Sequence, residues 1–299
     1  MSLIAITGAT GFIGSALVHE LTAAGHAVRR MVRREGQRRP GDALWDPAAG
    51  RLDPRALDGV DAVIHLAGEP IAQRWTAAAK RRIRESRVRG TQLVATTIAS
   101  LAQPPRVLVS GSAMGIYGDR GDEELDETSA PGRGFLAEVA IAWEVAAEPA
   151  ARAGVRVVKL RTGLVLGPRG GALAKLLLPF RMGVGGRVGS GRQWVSWIGL
   201  DDAVGAIMHT VDTETLAGPV NLAAPSPVAN AEFTKTLARV LRRPAIIPMP
   251  AFAMRLVFGE MGEATLLASQ RMRPRRLLES GYRFRHPTLE AALRHELGR

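Results

Sequence analysis

The sequence predicts an α/β chain, a doubly wound parallel sheet with a smaller mixed C-terminal domain on its substrate side. Three observations predict it. In the first half, short apolar runs alternate with stretches of helical length and period. The apolar runs are continuous, as they are in strands buried on both faces. A glycine-rich turn holding Gly8, Gly11 and Gly14 falls directly between the first apolar run and the first helical stretch.

In chain order, Leu3, Ala5 and Ile6 mark a short buried strand. Residues 11–24 carry helical periodicity and stop at Gly25. Residues 26–32 read as a second strand and 61–66 as a third, between Gly59 and Gly68. Residues 76–101 have helix length, and Pro104 and Pro105 follow them. A fourth strand spans 106–110, a helix 135–153 ends at Gly154, and a fifth strand spans 155–160. Beyond that the texture changes. Residues 163–191 are glycine-rich and basic. Residues 194–200 read as a strand, Asp201 and Asp202 stand where they would cap a helix over 203–211, and 219–222 return as a strand. A helix over 230–241, a proline-punctuated connector over 244–250 and a mixed tail with an extended piece at 281–284 complete the chain. The expected division is a dinucleotide-binding unit over 1–165, to which 195–225 return, and a substrate-side unit of 166–194 plus 226–299.

Composition narrows the function. With 299 residues and 46% hydrophobic content the chain can bury a core without staples. It has no cysteine, which excludes disulfides, thiolate metal sites and a cysteine nucleophile. No apolar run approaches the ~20 residues of a membrane span, and a strand begins just after Met1, so a cytoplasmic protein with no membrane partner is expected. The net charge is +12, but only Lys80, Lys159, Lys175 and Lys235 are lysines. Arginine spread through an Ala/Gly/Pro-rich chain reads as codon bias. No helix-turn-helix or finger pattern accompanies the clusters at 29–39 and 81–89, so nucleic acid is not an expected partner. No His/Asp/Glu cluster has ligand spacing, and no metal is expected.

The turn over 7–14 reads T-G-A-T-G-F-I-G. Gly8, Thr10, Gly11, Phe12, Ile13 and Gly14 form a phosphate cradle in this pattern. Glycines admit the pyrophosphate, and the helix N-terminus offers free N–H groups and a positive dipole end. After the second strand an NAD enzyme carries an acid for the ribose hydroxyls. Here Arg33 and Arg34 stand there, with no acid until Glu35. Arginine pairs with a 2′-phosphate through charge-assisted bonds, so NADP(H) is expected over NAD(H).

These segments, with D-A-V-I-H-L-A-G at 61–68, V-L-V-S-G-S at 107–112, Y-G-D at 117–119 and L-R-T-G-L-V-L-G-P at 160–168, resemble the extended short-chain dehydrogenases/reductases, the NAD-dependent epimerase/dehydratase superfamily. G-E-P at 68–70, S-G-R-Q-W-V-S-W-I at 190–198, N-A-E-F at 230–233 and F-G-E-M at 258–261 resemble its uncharacterised "epimerase family" branch, which has its own C-terminal domain. The resemblance implies that His65, Leu66, Ala67 and Gly68 flank the adenosine and ribose side of the cofactor, and Glu69 and Ser110 are further cofactor-binding candidates. It places Val165, between Leu164 and Leu166, beside the nicotinamide. Ser112 matches the hydroxyl that bonds the substrate, although counting back from Tyr117 gives Ala113.

The family's proton transfer rests on Tyr-x-x-x-Lys in the following helix. The two positions are Leu136 and Ala140 here, and neither Tyr117 nor Tyr282 has a lysine four residues on. Ser112, Glu138, Glu69 and Tyr117 are the local proton-transfer candidates, with Ser112 and Glu138 carried as catalytic. Arg87 stands where the family has asparagine and is a candidate either for the lost lysine's charge near the cofactor or for a helix cap. Arg169, Arg187 and Arg192 punctuate the glycine-rich segment and suit a small anionic substrate, nucleotide-sugar-like in the larger family. Trp194 and Trp197 read as sharing one side of a strand, in the core. A homodimer through 76–101 and 135–153 follows the larger family's habit. Two functions remain: an NADP(H)-dependent oxidoreductase or epimerase, and a silent NADP(H) sensor.

Overall fold

The computed structural model describes residues 1–299. The first half runs β1 (Leu3–Thr7), α1 (Phe12–Ala23), β2 (Ala27–Val32), β3 (Ala43–Asp46), β4 (Arg51–Leu52), β5 (Ala62–His65), α2 (Ala77–Ala99), β6 (Val107–Ala113), β7 (Glu124–Leu125), α3 (Phe135–Val145), α4 (Glu148–Arg152) and β8 (Arg156–Thr162). The second half runs β9 (Leu164–Leu166), α5 (Gly171–Arg181), β10 (Trp194–Val195), β11 (Trp197–Gly199), α6 (Leu200–Asp212), β12 (Gly218–Leu222), β13 (Val228–Ala229), α7 (Asn230–Leu241), α8 (Ala251–Gly262), β14 (Arg271–Met272), α9 (Arg275–Glu279) and α10 (Leu289–Glu296).

The main sheet has the order β12-β8-β6-β5-β1-β2-β3-β4, parallel except for the β3–β4 pair. The chain leaves β1 toward β2 on one side and returns to β5 on the other. That reversal opens a crevice at the carboxyl ends of β1 and β5. Strand alternation feeds two cores. Ile4 and Ile6 pack with Leu17 and Leu21 of α1 and Val204 and Ile207 of α6. Ala5 and Val63 pack with Val94 and Ile98 of α2 and Ala147 and Ala150 around α4. A third core surrounds Trp197, where α5, α7 and α10 supply Leu177, Leu237 and Leu293. No helix is long and apolar enough to cross a membrane.

The structure departs from the sequence reading in several places. A hairpin, β3–β4, extends the sheet within a stretch with no assigned element; only Ala43 and Trp45 of its first strand are buried, too short an alternation to register. The helix over 135–153 is broken at Ala146 and Ala147, before Pro149, which cannot continue the hydrogen-bond ladder. The glycine-rich segment contains a full helix, α5. Trp194 and Trp197 lie three apart, so they face opposite ways. Trp197 is wholly buried with Nε1 donating to Ser226 O, while Trp194 is half-buried with Nε1 donating to Asp122. Between them Ser196 turns inward, donating to Gln270 O and accepting from Met272 N.

Two further details fasten the C-terminal part. Helix α6 begins at Leu200, whose N–H donates to Glu296 (2.7 Å); Asp202 does not cap it but accepts from the N–H groups of Arg285 and His286. The Y-G-D turn is clasped by the segment before β14. Ser269 N donates to Asp119, Ser269 Oγ to Gly121 O, and Gln270 Nε2 to Gly118 O.

Candidate functional site

The turn between β1 and α1 has the form its glycines dictate. Gly8 takes φ +72°, the left-handed region that glycine enters without strain. A Cβ on Gly8 would stand 2.9 Å from Leu66 C, so the loop lies directly against the end of β5. A Cβ on Gly14 would stand 2.1 Å from Gly8 O, so α1 is seated on the turn by the absence of a side chain. Gly11 is the N-cap and offers no side-chain acceptor, which leaves the first N–H groups of α1 open to an anion.

Phe12 and Ile13 bring only backbone to this cradle, as its N–H groups require. The Phe12 ring packs on Gly167, Gly170 and Gly171, where added Cβ atoms would fall 2.5–3.1 Å from ring atoms. It thereby docks the start of α5 on the phosphate turn. Ile13 packs on the core under α1. Thr10 is exposed at the rim.

Past β2, the basic loop sorts itself. Arg30 is paired with Asp42 and Arg38 with Glu35. Arg33 and Arg34 are exposed and have no carboxylate partner. Those two are free to meet a phosphate at this edge of the crevice.

At the end of β5, the His65 ring is wholly buried, in edge-on contact with Trp45. Its Nδ1 lies 2.7 Å from Thr7 Oγ1, which also accepts from Ala67 N; its Nε2 has no partner. Burial lowers its pKa to about 4, so it is neutral at pH 7. His65 therefore braces the loop from beneath and presents no ring nitrogen to the crevice. Leu66 and Ala67 are half-buried, with their backbone against Gly8. Ser110 is buried within the sheet, its hydroxyl turned to Gly111 O. Val165 is a core residue paired across to Ile198. Both are corrections, since neither side chain opens on the crevice.

Arg87 is the exception among the inner candidates. Its guanidinium stacks on Trp143 at 5.0 Å and donates through Nη1 to Glu69 O (2.9 Å) and Ile83 O (3.2 Å). Burial pulls its pKa down to about 10, opposed by the Glu69 charge. The Glu69 carboxylate itself is taken by Gln73 and Arg82. Nothing pairs with the other donors of Arg87, beside Gly68 at the crevice.

Of the two catalytic candidates, Ser112 is engaged and Glu138 is free. Ser112 donates to Glu144 (2.8 Å). Glu144 also accepts from Arg161 Nε (2.9 Å), and Arg161 Nη1 donates to Tyr117 (3.0 Å). Tyr117 in turn donates to Asn221 Oδ1 (2.7 Å). This is a buried structural chain. Burial works against the Arg161 charge, yet Glu144 and Tyr117 hold its pKa up. Burial pushes the Tyr117 phenol up to about 12, and that of Tyr282, which donates to Asp202 O, higher still. Neither tyrosine is a base at neutral pH. Glu138 is an exposed carboxylate in the first turn of α3 with no partner. At the two motif positions, Leu136 packs on Gly115 and Ala140 lies in the cluster of Ile116 and Tyr117. Only carbon occupies them.

The three arginines of the glycine-rich segment are exposed but not together. Arg187 and Arg192 bracket one turn, the Arg187 stem near Gly191. Arg169 precedes α5 by the phosphate turn, whereas Arg187 and Arg192 follow the other end of that 11-residue helix. The sequence reading missed the crevice lip. Trp75 packs edge-on to Phe135, and Lys80 lies over Phe135 and donates to Glu260 of α8 (2.6 Å). Only the match at 258–261 hinted that α8 reaches this far.

The profile of the NAD dependent epimerase/dehydratase family matches residues 4–223, and that of a domain of unknown function, DUF1731, matches 249–296. The epimerase family protein MT2273 of Mycobacterium tuberculosis is 43% identical over 293 residues, 98% of this chain and 96% of its own. The human epimerase family protein SDR39U1 is 38% identical over 295 residues, 97% of this chain and 98% of its own. A crystal structure of human SDR39U1 (isoform 2) with NADPH superposes with a TM-score of 0.91 at 36% identity, covering 99% of both chains. A nucleoside-diphosphate sugar epimerase from Corynebacterium glutamicum superposes at 0.82 with 39% identity, over 99% of this chain and 58% of that one. The UDP-glucose 4-epimerase of Thermotoga maritima, 17% identical at 0.76, shares the fold. With its crevice, its glycine turn and these matches across nearly its whole length, the chain belongs to the NAD dependent epimerase/dehydratase family.

Proposed function

We propose that the protein binds NADP(H) and passes hydride to or from a small anionic substrate, as an oxidoreductase or epimerase that works without a Tyr/Lys pair. The observation that carries this reading is the pair Arg33 and Arg34, unpaired at the end of β2 beside a glycine cradle. The NADPH named with the human relative supports it. When bound, the nicotinamide supplies or accepts the hydride. The open N–H groups of α1 hold the pyrophosphate, Arg33 and Arg34 hold the 2′-phosphate, and Arg87 offers a desolvated cation at the inner end. Arg187 and Arg192 suit the substrate's negative charge. Positioning of this kind is itself a large rate effect. Ser112 is engaged by Glu144, and Glu138 is the catalytic candidate with a free carboxylate, so it or water would exchange the proton.

The carbon-only positions Leu136 and Ala140 favour a second reading, a silent sensor of NADPH. One experiment separates the two. NADPH deuterated at its transferable hydride is incubated with the protein and a panel of phosphorylated and nucleotide-linked carbonyl compounds. Label moving onto one compound is the expected result. Tight binding with no transfer across the panel leaves the sensor, and no binding removes both.

A further inference from the structure

The charge and the apolar exposure of this chain converge on one surface. Apart from Met1, the six most exposed large apolar side chains are Leu178, Met182, Ile246, Phe252, Leu256 and Val257, at 67–84% exposure. Leu178 and Met182 end α5; Ile246 lies in the connector; the rest stand on α8, with Phe252 and Leu256 one turn apart and the core-facing Met254 between them at 2%. The two segments run side by side. Met249 N donates to Arg187 O (2.9 Å), Gly189 N to Met249 O (2.9 Å), and Pro244 meets the Cβ position of Gly183 at 3.4 Å.

The same surface is strongly cationic, its carboxylates confined to Glu260 and Glu263 at the end of α8, where they pair with Lys80 and Arg255. Neither 149–200 nor 233–259 contains a single Asp or Glu. Lys175, Arg181, Arg242 and Arg243 are exposed there without a carboxylate partner. Arg242 is also the one non-glycine residue of the chain with positive φ, +53°, at the α7 C-cap where glycine is the usual occupant. A left-handed arginine is a strained choice for a cap and sets two arginines side by side at the patch.

We propose that this face docks on an anionic phospholipid surface, its apolar side chains at the boundary between headgroups and acyl chains and its arginines on the phosphates. The pairing of exposed Leu, Phe and Met with unpaired Lys and Arg is the chemistry of a protein that lies on a bilayer without spanning it. A second copy of this chain would set cations against cations, and a nucleic acid would leave the apolar side chains in water. Helix α8 ends at the Lys80–Glu260 pair, so that end of the docked face approaches the crevice lip. The inference stands on surface chemistry alone and does not depend on the cofactor reading.

The test is sedimentation of the full chain with vesicles of phosphatidylcholine alone and of phosphatidylcholine mixed with phosphatidylglycerol. Expected is binding to the anionic vesicles at least about ten-fold stronger than to the neutral ones, weakening with salt. Phe252→Asp with Leu256→Asp, and separately Arg242→Glu with Arg243→Glu, lose at least about ten-fold while melting temperature and NADPH affinity hold. Equal or absent binding to the two vesicles overturns the proposal. So does a dimer in light scattering that Leu256→Asp dissociates, which would show a second copy covering the patch.

Discussion

Gly14→Ala is expected to abolish dinucleotide binding and to destabilise the fold by about 3 kcal/mol. Its Cβ would fall 2.1 Å from Gly8 O and 2.8 Å from Gly8 C, and backbone atoms of a tight turn cannot give way as a flexible side chain does. Either α1 lifts from the turn or the turn reshapes, and both remove the anion cradle. The series should grade. Gly8→Ala meets the backbone of Leu66 at 2.9 Å and also forces alanine to φ +72°, whereas Gly11→Ala meets Gly8 O at 3.1 Å without positive φ and should cost least. Thermal melts and equilibrium dialysis read the two effects separately. A Gly14→Ala protein that melts and binds like the parent would sink the cradle.

Glu144→Ala should cost about 3–5 kcal/mol, because it leaves the Arg161 guanidinium buried without its carboxylate. The Arg161 and Glu144 side chains are 7% and 11% exposed, so solvent cannot take over. Ser112 loses its acceptor in the same step. Exchanging both partners, Glu144→Leu with Arg161→Met, should recover much of the loss, since neither charge is then stranded. Dinucleotide affinity should change little in the double variant, as this chain of bonds lies outside the glycine cradle. Urea unfolding measures the ledger; a single variant within 1 kcal/mol of the parent would show the pair to be solvated.

Much of this was legible because the physics is local. A strand, three glycines in register and a helix announce the crevice, and a missing acid after β2 announces the cation there. What escaped was set by contacts distant in sequence. Nothing near Ser112 says that its hydroxyl is claimed by Glu144, 32 residues away. His65, Ser110 and Val165 stand in the right segments, but strand parity decides which side chains open on the crevice, and it turned these three inward. Nothing in the turn says that the Phe12 ring packs on Gly167, Gly170 and Gly171, more than 150 residues away, while its backbone serves the cradle. Helix α5 was hidden by the glycines that surround it, and hairpin β3–β4 by its brevity. Neither Tyr117 nor Tyr282 has a lysine four residues on, and both donate in hydrogen bonds, Tyr117 to Asn221 and Tyr282 to Asp202.

The central claim is that Arg33 and Arg34 select the 2′-phosphate. Titration with NADPH and NADH, followed through quenching of the five tryptophans, tests it most directly. A charge-assisted bond to the phosphate is worth about 1.5–3 kcal/mol, so NADPH should bind at least about ten-fold more tightly than NADH. Arg33→Ala should erase most of that difference by weakening NADPH and leaving NADH unchanged. Equal affinity for the two dinucleotides in the parent protein, or a preference that survives replacement of both arginines, would contradict the account.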